Sequence, residues 1–214
     1  MTVLAFAPMH NTKGRKDATG AFQPEARAFC ELNDGQLILV DNNKVPASEM
    51  RARVIKEVAN TPDQIPQVAF FCHGSRCGIQ FGFTRANVAT LAKVIARKSV
   101  YATVPLYACL AAGPATDAAG GDGGFADALR DALCAEGAIW CRVDAHATAG
   151  HTTWNPYVRR FDGVGNTSGG CGGQYIVAPG SKLWPRWRKA LRETNLRLTF
   201  SRLSIGEIHK RLAG

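Results

Sequence analysis

Two apolar runs of this chain each end in a side chain that could do chemistry. Residues 68–72 (VAFFC) lead into His73, and residues 104–108 (VPLYA) lead into Cys109. Both runs have the length and the β-branched or aromatic content of a buried strand, and helical periodicity lies between them. Strand, helix, strand makes neighbouring parallel strands, whose carboxyl ends meet at one edge of the sheet. We therefore expect an imidazole beside a thiol.

A thiol beside an imidazole is a nucleophile with its base. Only the thiolate attacks well, so Cys109 needs a lowered pKa or a base within reach. His73 can orient or deprotonate the thiol and later protonate a departing amine. Taken alone, Cys109 also reads as a buried core cysteine and His73 as a strand-end histidine with a structural partner. Their succession on consecutive predicted strands favours catalysis.

Other cysteines and histidines give no comparable pattern. Cys72 lies inside the predicted strand, so its side chain should face the core. The spacing of the remaining candidate ligands matches no paired zinc motif, and we predict neither a metal nor another cofactor; those candidates are Cys77, His146, His151 and Cys171.

The surrounding pattern alternates strands and helices, which is typical of a doubly wound α/β fold. We predict a three-layer α/β/α sandwich with a mostly parallel six-stranded sheet. Residues 1–180 would form one domain, and residues 181–214 a basic helical extension packed on it. The predicted strands are 3–8, 36–40, 68–72, 104–108, 138–143 and 175–177; the predicted helices are 24–32, 48–59 (N-capped by Ser48), 84–95 (capped by Thr84), 125–133, 184–191 and 204–212.

Composition is that of an ordinary globular protein, with 46% hydrophobic and 20% charged residues. No apolar run reaches membrane-spanning length, and the N-terminus lacks the basic region of a signal peptide, so we expect no membrane partner. Seven cysteines, several inside predicted strands, favour reduced thiols over a disulfide framework. These features together predict a cytoplasmic protein.

The order apolar strand, His-Gly, helix, apolar strand, Ala-Cys resembles the clan CD cysteine peptidases: caspases, metacaspases, legumains and gingipains. The likeness extends to residues 39–59, which resemble the caspase passage from strand two to helix two. Residues 143–154 (VDAHATAGHTTW) resemble the segment that lines a caspase substrate cleft. In all, the element order matches over residues 3–178.

This resemblance implies a caspase-like fold and a thiol protease that hydrolyses peptide bonds through a thioacyl-enzyme. His73 and Cys109 would form the catalytic dyad. The backbone N–H groups of Gly74 and Cys109 would hold the oxyanion, and glycine there lets the substrate carbonyl approach closely. The partner is then a protein or peptide substrate.

Specificity is where the sequence departs from these families. Caspases follow the cleft tryptophan with an arginine, whereas Asn155 follows Trp154 here. Metacaspases place an aspartate two residues before the nucleophile, where this chain has Tyr107. Neither an aspartate-directed nor a lysine- or arginine-directed pocket carries over, and the preference stays open. The residues expected to contact substrate are Arg15, Tyr107, Asp144, Thr153 and Trp154.

The loop at residues 113–124 directly follows the proposed nucleophile. Six of its twelve residues are glycine or proline, and none is lysine or arginine. In caspases the corresponding connection is a processing site. Here we expect a flexible loop that closes over bound peptide, in an enzyme that works as an intact single chain.

Two other interpretations fit the same residues. One is a catalytically silent binding or scaffold protein on the same fold, with a basic surface. The other is an acyl hydrolase or acyltransferase that uses the same dyad on a non-peptide acyl group. Reaction of Cys109 with a peptidyl electrophile separates the enzymes from the scaffold. Sequence alone leaves the oligomeric state undetermined.

The formal net charge of +9 is concentrated near the C-terminus. This excess indicates either attraction to an acidic partner such as nucleic acid, or a solvated basic helical face. The cations of this basic segment are Lys182, Arg186, Arg188, Lys189, Arg192, Arg197, Arg202, Lys210 and Arg211.

If the basic segment binds polyanions, affinity should fall steeply with salt, because each neutralised phosphate releases a counterion. The measurement is the Kd for single-stranded DNA over a series of salt concentrations. A linear fall of log affinity with log salt is the expected result. Binding that is absent or independent of salt would leave the solvated face as the explanation.

Overall fold

A computed structural model describes residues 1–10, 22–62, 64–114, 123–147, 157–163 and 167–171, and Pro185. In chain order the elements are β1 (Val3–Pro8), α1 (Phe22–Asn33), β2 (Gly35–Val40), α2 (Ala47–Asn60), β3 (Gln67–Phe71), β4 (Gly74–Ser75), β5 (Gly78–Ile79), β6 (Phe83–Thr84), α3 (Val88–Ala96), β7 (Thr103–Tyr107), α4 (Phe125–Ala135), β8 (Arg142–His146), β9 (Tyr157–Asp162) and β10 (Thr167–Cys171).

Within the described residues the main sheet has seven strands, in the order β10-β9-β8-β7-β3-β1-β2. From β2 to β8 all neighbours are parallel, whereas β9 runs antiparallel to β8, and β10 antiparallel to β9. The remaining three strands, β4, β5 and β6, form a small antiparallel sheet directly after β3. We call this small sheet, residues 74–84, the hairpin sheet.

Helices cover both faces of the main sheet. On one face α1 packs Phe22, Ala26 and Phe29 against small and aromatic side chains of β1, β3 and β7. On the other face α2, α3 and α4 pack a larger apolar cluster against the same strands. Strands buried on both faces read as continuous apolar runs, which is why β1, β3 and β7 were predictable. The α/β class and the mostly parallel sheet are confirmed.

Several predicted boundaries are corrected by the structure. The fifth strand begins at Arg142, not at residue 138, because the chain first turns through Gly137 (φ +92°) and residues 138–141. The helix expected from Thr84 begins at Val88, since Thr84 belongs to β6. Ser48 lies inside α2, whose N-cap is Pro46.

The β9–β10 pair was not predicted from the sequence. Residues 167–171 (TSGGC) carry no strand-like alternation, and their pairing is fixed by β9 beside them. Among the described residues this pair brings the main sheet to seven strands, and five of the six predicted strands correspond to β1, β2, β3, β7 and β8. The predicted strand at 175–177 and the helices at 184–191 and 204–212 lie outside the described residues, apart from Pro185. So does most of the extension at 181–214.

A nearly buried ion pair in the first two turns of helix α4 bonds to the chain on either side of it. Arg130 Nη2 lies 2.6 Å from Asp127 Oδ1. The other carboxylate oxygen of Asp127 accepts the N–H of Gly123 at 2.8 Å, and Arg130 Nη1 donates to the carbonyl of Asp162 at 3.1 Å. These bonds fix α4 against β9.

No helix in the described part of the chain is long and apolar enough to cross a membrane.

Candidate active site

The pairing of β3 with β7 sets the position of the predicted dyad. Phe70 faces Leu106 and Phe71 faces Tyr107, and the N–H of Cys72 donates to the carbonyl of Tyr107 at 3.3 Å. Continued two residues past Phe71 and Tyr107, this register places His73 opposite Cys109. Neighbouring strands lie about 4.8 Å apart. Both residues therefore follow neighbouring parallel strands at the carboxyl edge of the sheet.

Alternation along the strands also places the two side chains on the same face. Phe71 and Tyr107 stack on the face covered by α1, with ring centroids 4.3 Å apart and planes 8° apart. His73 and Cys109 each lie two residues further on, so strand alternation, continued past the two strand ends, directs both to that face. Phe22 of α1 packs edge-on against the His73 ring at a centroid distance of 4.9 Å. Both dyad residues are half-buried.

The Cys72 side chain points to the opposite face of the sheet, and its thiol is unreactive. It is fully buried in the cluster under α2, α3 and α4, as expected. Burial raises the pKa of its thiol well above the usual range, and the nearby Cys109 thiol adds to the rise. By the same alternation, Cys109 and not Cys72 is directed to the face of His73.

The hairpin sheet holds the backbone of His73. Its N–H donates to Gln80 Oε1 at 3.2 Å, and its carbonyl accepts the N–H of Gln80 at 2.9 Å. One residue thus satisfies both backbone groups where the chain bends out of β3. The sequence analysis missed Gln80; the signal available was an amide in an otherwise apolar stretch, residues 78–83 (GIQFGF).

Gly74 brings the histidine segment into close contact with the cysteine segment. A Cβ atom at Gly74 would lie 2.7 Å from Ala108 Cβ and 2.9 Å from the carbonyl oxygen of Cys109. Gly74 faces Ile79 in the rung next to the hydrogen-bonded pair of His73 and Gln80. Rungs of an antiparallel ladder alternate, so the Gly74 N–H is directed away from β5.

The chain leaves β7 through a left-handed residue directly after Cys109. Leu110 has φ +59°, a conformation that costs a non-glycine residue about 1–2 kcal/mol. Two turn bonds follow: the N–H of Ala111 donates to the carbonyl of Ala108, and that of Gly113 to the carbonyl of Leu110. Residues held in sparsely populated conformations cluster at active sites. Sequence gave no sign of this turn.

Four elements hold residues 110–113, which we call the nucleophile loop. The N–H of Ala126 at the start of α4 donates to Ala111, and that of Ala112 donates to His146 at the end of β8, both at 3.0 Å. From β9, Arg159 Nη1 donates to the carbonyl of Ala112 at 3.3 Å. The hairpin sheet contributes Arg76, whose side chain packs against Gly113. The turn that presents Cys109 is therefore rigidly supported.

Tyr107 and Asp144 are placed away from the edge where substrate would bind. Tyr107 is 4% exposed and packs among Phe29, Phe71 and His146, and burial raises the pKa of its hydroxyl. Asp144 faces Pro105, four residues before Cys109, so it lies roughly 13 Å below the dyad along the strands.

The charge of Asp144 is also already compensated. Its carboxylate is 7% exposed and lies 2.9 Å from Arg142 Nε and 3.0 Å from Arg160 Nε. The hydrogen bond to Asp144 raises the pKa of Arg160. We therefore assign Asp144 to the sheet core, not to a substrate pocket. The other predicted substrate contacts, Arg15, Thr153 and Trp154, lie outside the described residues.

Within the described ranges, no three His, Cys, Asp or Glu side chains are grouped so as to hold a metal ion. No protein-family model, no curated protein and no solved structure matches this chain. The case for a function therefore rests on the arrangement of the chain's own residues.

The close approach at Gly74 gives a test of the site. Gly74→Ala should slow labelling of Cys109 by a peptidyl ketone about 100-fold, because the added methyl group must push the histidine segment off the cysteine segment. Overpacking should also lower Tm by several degrees. Mass spectrometry of the labelled protein over time gives the rate.

Gly163→Ala is the matched control. Its Cβ would press on the backbone of Ile139 at the opposite end of the sheet, so it should cost stability without moving the dyad. Labelling of Gly74→Ala at the wild-type rate would show that the contact does not matter for reactivity.

Proposed function

We propose that this protein is a cysteine endopeptidase of caspase-like fold that hydrolyses peptide bonds with a His73–Cys109 dyad. One observation carries the proposal: where the paired strands β3 and β7 end, the Gly74 backbone directly after His73 is pressed against Ala108 and the carbonyl of Cys109. The clan CD resemblance of the two strand-end motifs supports the same assignment.

The chemistry would begin with proton transfer from the Cys109 thiol to His73. The thiolate attacks the scissile carbonyl carbon, and a tetrahedral oxyanion forms. The N–H groups of Gly74 and Cys109 would donate hydrogen bonds to this oxyanion. Donors fixed in advance at such a site lower the barrier by several kcal/mol. The missing side chain at position 74 lets the histidine segment lie directly against the carbonyl of Cys109.

Collapse of this intermediate breaks the peptide bond. The protonated His73 donates its proton to the departing amine, which leaves a thioacyl-enzyme on Cys109. His73, now neutral, takes a proton from water, and the hydroxide attacks the thioester carbonyl. A second tetrahedral intermediate then expels the Cys109 thiolate and frees the carboxylate product.

The local backbone favours an enzyme over a silent scaffold. A left-handed Leu110 directly after the cysteine carries a conformational cost, and the glycine against the cysteine carbonyl admits no side chain. A scaffold gains nothing from either feature at this edge. An acyl hydrolase or acyltransferase would use the same geometry, so the peptidase is distinguished by its substrate.

Peptide substrates follow from the family resemblance, and the side-chain preference stays open. Within the described residues Tyr107 is packed in the core, and Asp144 is paired with two arginines. Neither is available to select a charged substrate side chain. Selection would then fall to other parts of the cleft.

Cys109→Ala and His73→Ala should each reduce turnover of a mixed peptide library by at least about 1000-fold, since members of a catalytic unit fail together. Tm should stay within a few degrees of wild type, because both side chains are half-buried at a strand end. Product formation is followed by mass spectrometry.

Cys77→Ser is the matched control, since Cys77 is an exposed thiol four residues from His73. This variant should keep wild-type turnover. Near wild-type activity in Cys109→Ala, on any substrate that the wild type cleaves, would contradict the assignment.

A further inference from the structure

Two cysteine side chains lie close together far from the dyad. Cys134 is in the last turn of α4, and Cys141 directly precedes β8. Their sulfur atoms are 3.9 Å apart. Helix α4 starts beside the nucleophile loop and rises about 16 Å over its eleven residues. The pair therefore sits at the opposite end of the sheet from Cys109.

The geometry around the two sulfurs suits a bond between them. A disulfide needs a sulfur separation of about 2.05 Å, so the two atoms must approach by about 2 Å. The connecting turn contains Gly137 at φ +92°, and a Cβ there would meet nothing within 4 Å. The turn consequently has open space on one side in which to adjust.

The two thiols differ in accessibility. Cys134 is half-buried and donates to the carbonyl of Gly163 at 3.3 Å, while Cys141 is 2% exposed. Burial raises the pKa of Cys141 to about 12, and the neighbouring Cys134 adds to the rise. An oxidant from solvent therefore reaches Cys134 first. The buried Cys141 is then the neighbouring thiol that can react with the oxidised Cys134.

We propose that Cys134 and Cys141 form a reversible disulfide, a redox-sensitive site at the end of the sheet opposite the dyad. The oxidant class is a peroxide. The Cys134 thiol loses its proton and attacks one peroxide oxygen, and the O–O bond breaks. Cys134 becomes a sulfenic acid, and the leaving hydroxide takes up that proton and departs as water. The Cys141 sulfur then attacks the sulfenic sulfur and loses its proton. The S–S bond forms as a second water leaves.

Two thiols thus give up two electrons and two protons to one hydrogen peroxide, which becomes two waters. A thiol reductant reverses the reaction by exchange through a mixed disulfide. The bond closes a loop of eight residues and ties the end of α4 to the start of β8. Constraining the unfolded chain in this way should raise Tm by roughly 5 °C.

The sequence makes the test direct, because both cysteines lie in one tryptic peptide. That peptide is residues 131–142 (DALCAEGAIWCR), with no other cysteine and with Glu136 between the two. The full chain carrying Cys109→Ala is treated with dilute hydrogen peroxide, the remaining thiols are alkylated, and the protein is digested.

The expected result is a peptide 131–142 that takes up no alkylating agent and is lighter by about 2 Da than the reduced form. Cleavage after Glu136 should then add one water without separating the two halves. Dithiothreitol should restore two alkylatable thiols. Oxidation should raise Tm by several degrees in this chain.

Adding Cys77→Ser to the same chain should leave both results unchanged, whereas adding Cys134→Ser should abolish them. Two alkylated thiols in peptide 131–142 after peroxide would overturn the proposal. So would a cross-link from this peptide to another cysteine, or oxidation of Cys134 to the sulfinic acid with Cys141 still alkylated. The peptide masses are read in the parent chain, so the outcome does not depend on how well Cys134→Ser folds.

Discussion

The register between β3 and β7 is the constraint on which the candidate site depends. Side chains alternate along a strand, so a slip of one residue would send His73 or Cys109 to the opposite face. Two sets of contacts prevent the slip. The stacked rings of Phe71 and Tyr107 pack under α1, while Phe70 and Leu106 pack under the helices on the other side. A shift of one residue in either strand would move its side chains from the cluster on one face of the sheet into the cluster on the other face.

The rest of the structure converts this register into a defined site. Gln80 fixes the backbone of His73 through two hydrogen bonds, and the absent side chain of Gly74 lets that segment touch Cys109. The nucleophile loop is held by α4, β8, β9 and the hairpin sheet. The site is thus built from residues on five separate stretches of the chain, and its geometry follows from tertiary contacts.

The core strands were predictable because their signals are local. β1, β3 and β7 are uninterrupted apolar runs, and the proposed dyad residues His73 and Cys109 come shortly after two of them. The hairpin sheet was not predictable: its strands are two residues long, and Thr84 read as a helix cap. β10 depends on pairing with β9, which no local pattern encodes. The substrate contacts expected of Tyr107 and Asp144 came from the resemblance. The burial of Tyr107 and the pairing of Asp144 with two arginines are properties of the folded sheet.

The most direct test asks which thiol of the native protein reacts with an irreversible peptidyl ketone supplied in limiting amount. Exposure alone favours Cys77, which lies in the tryptic peptide 77–85, whereas Cys109 is half-buried and is the only cysteine of peptide 99–130. A thiol activated by His73 should react ahead of a merely accessible one. We therefore predict an adduct on peptide 99–130 in the native wild type that is lost in His73→Ala and in urea. Labelling of peptide 77–85 with Cys109 unmodified would contradict the account.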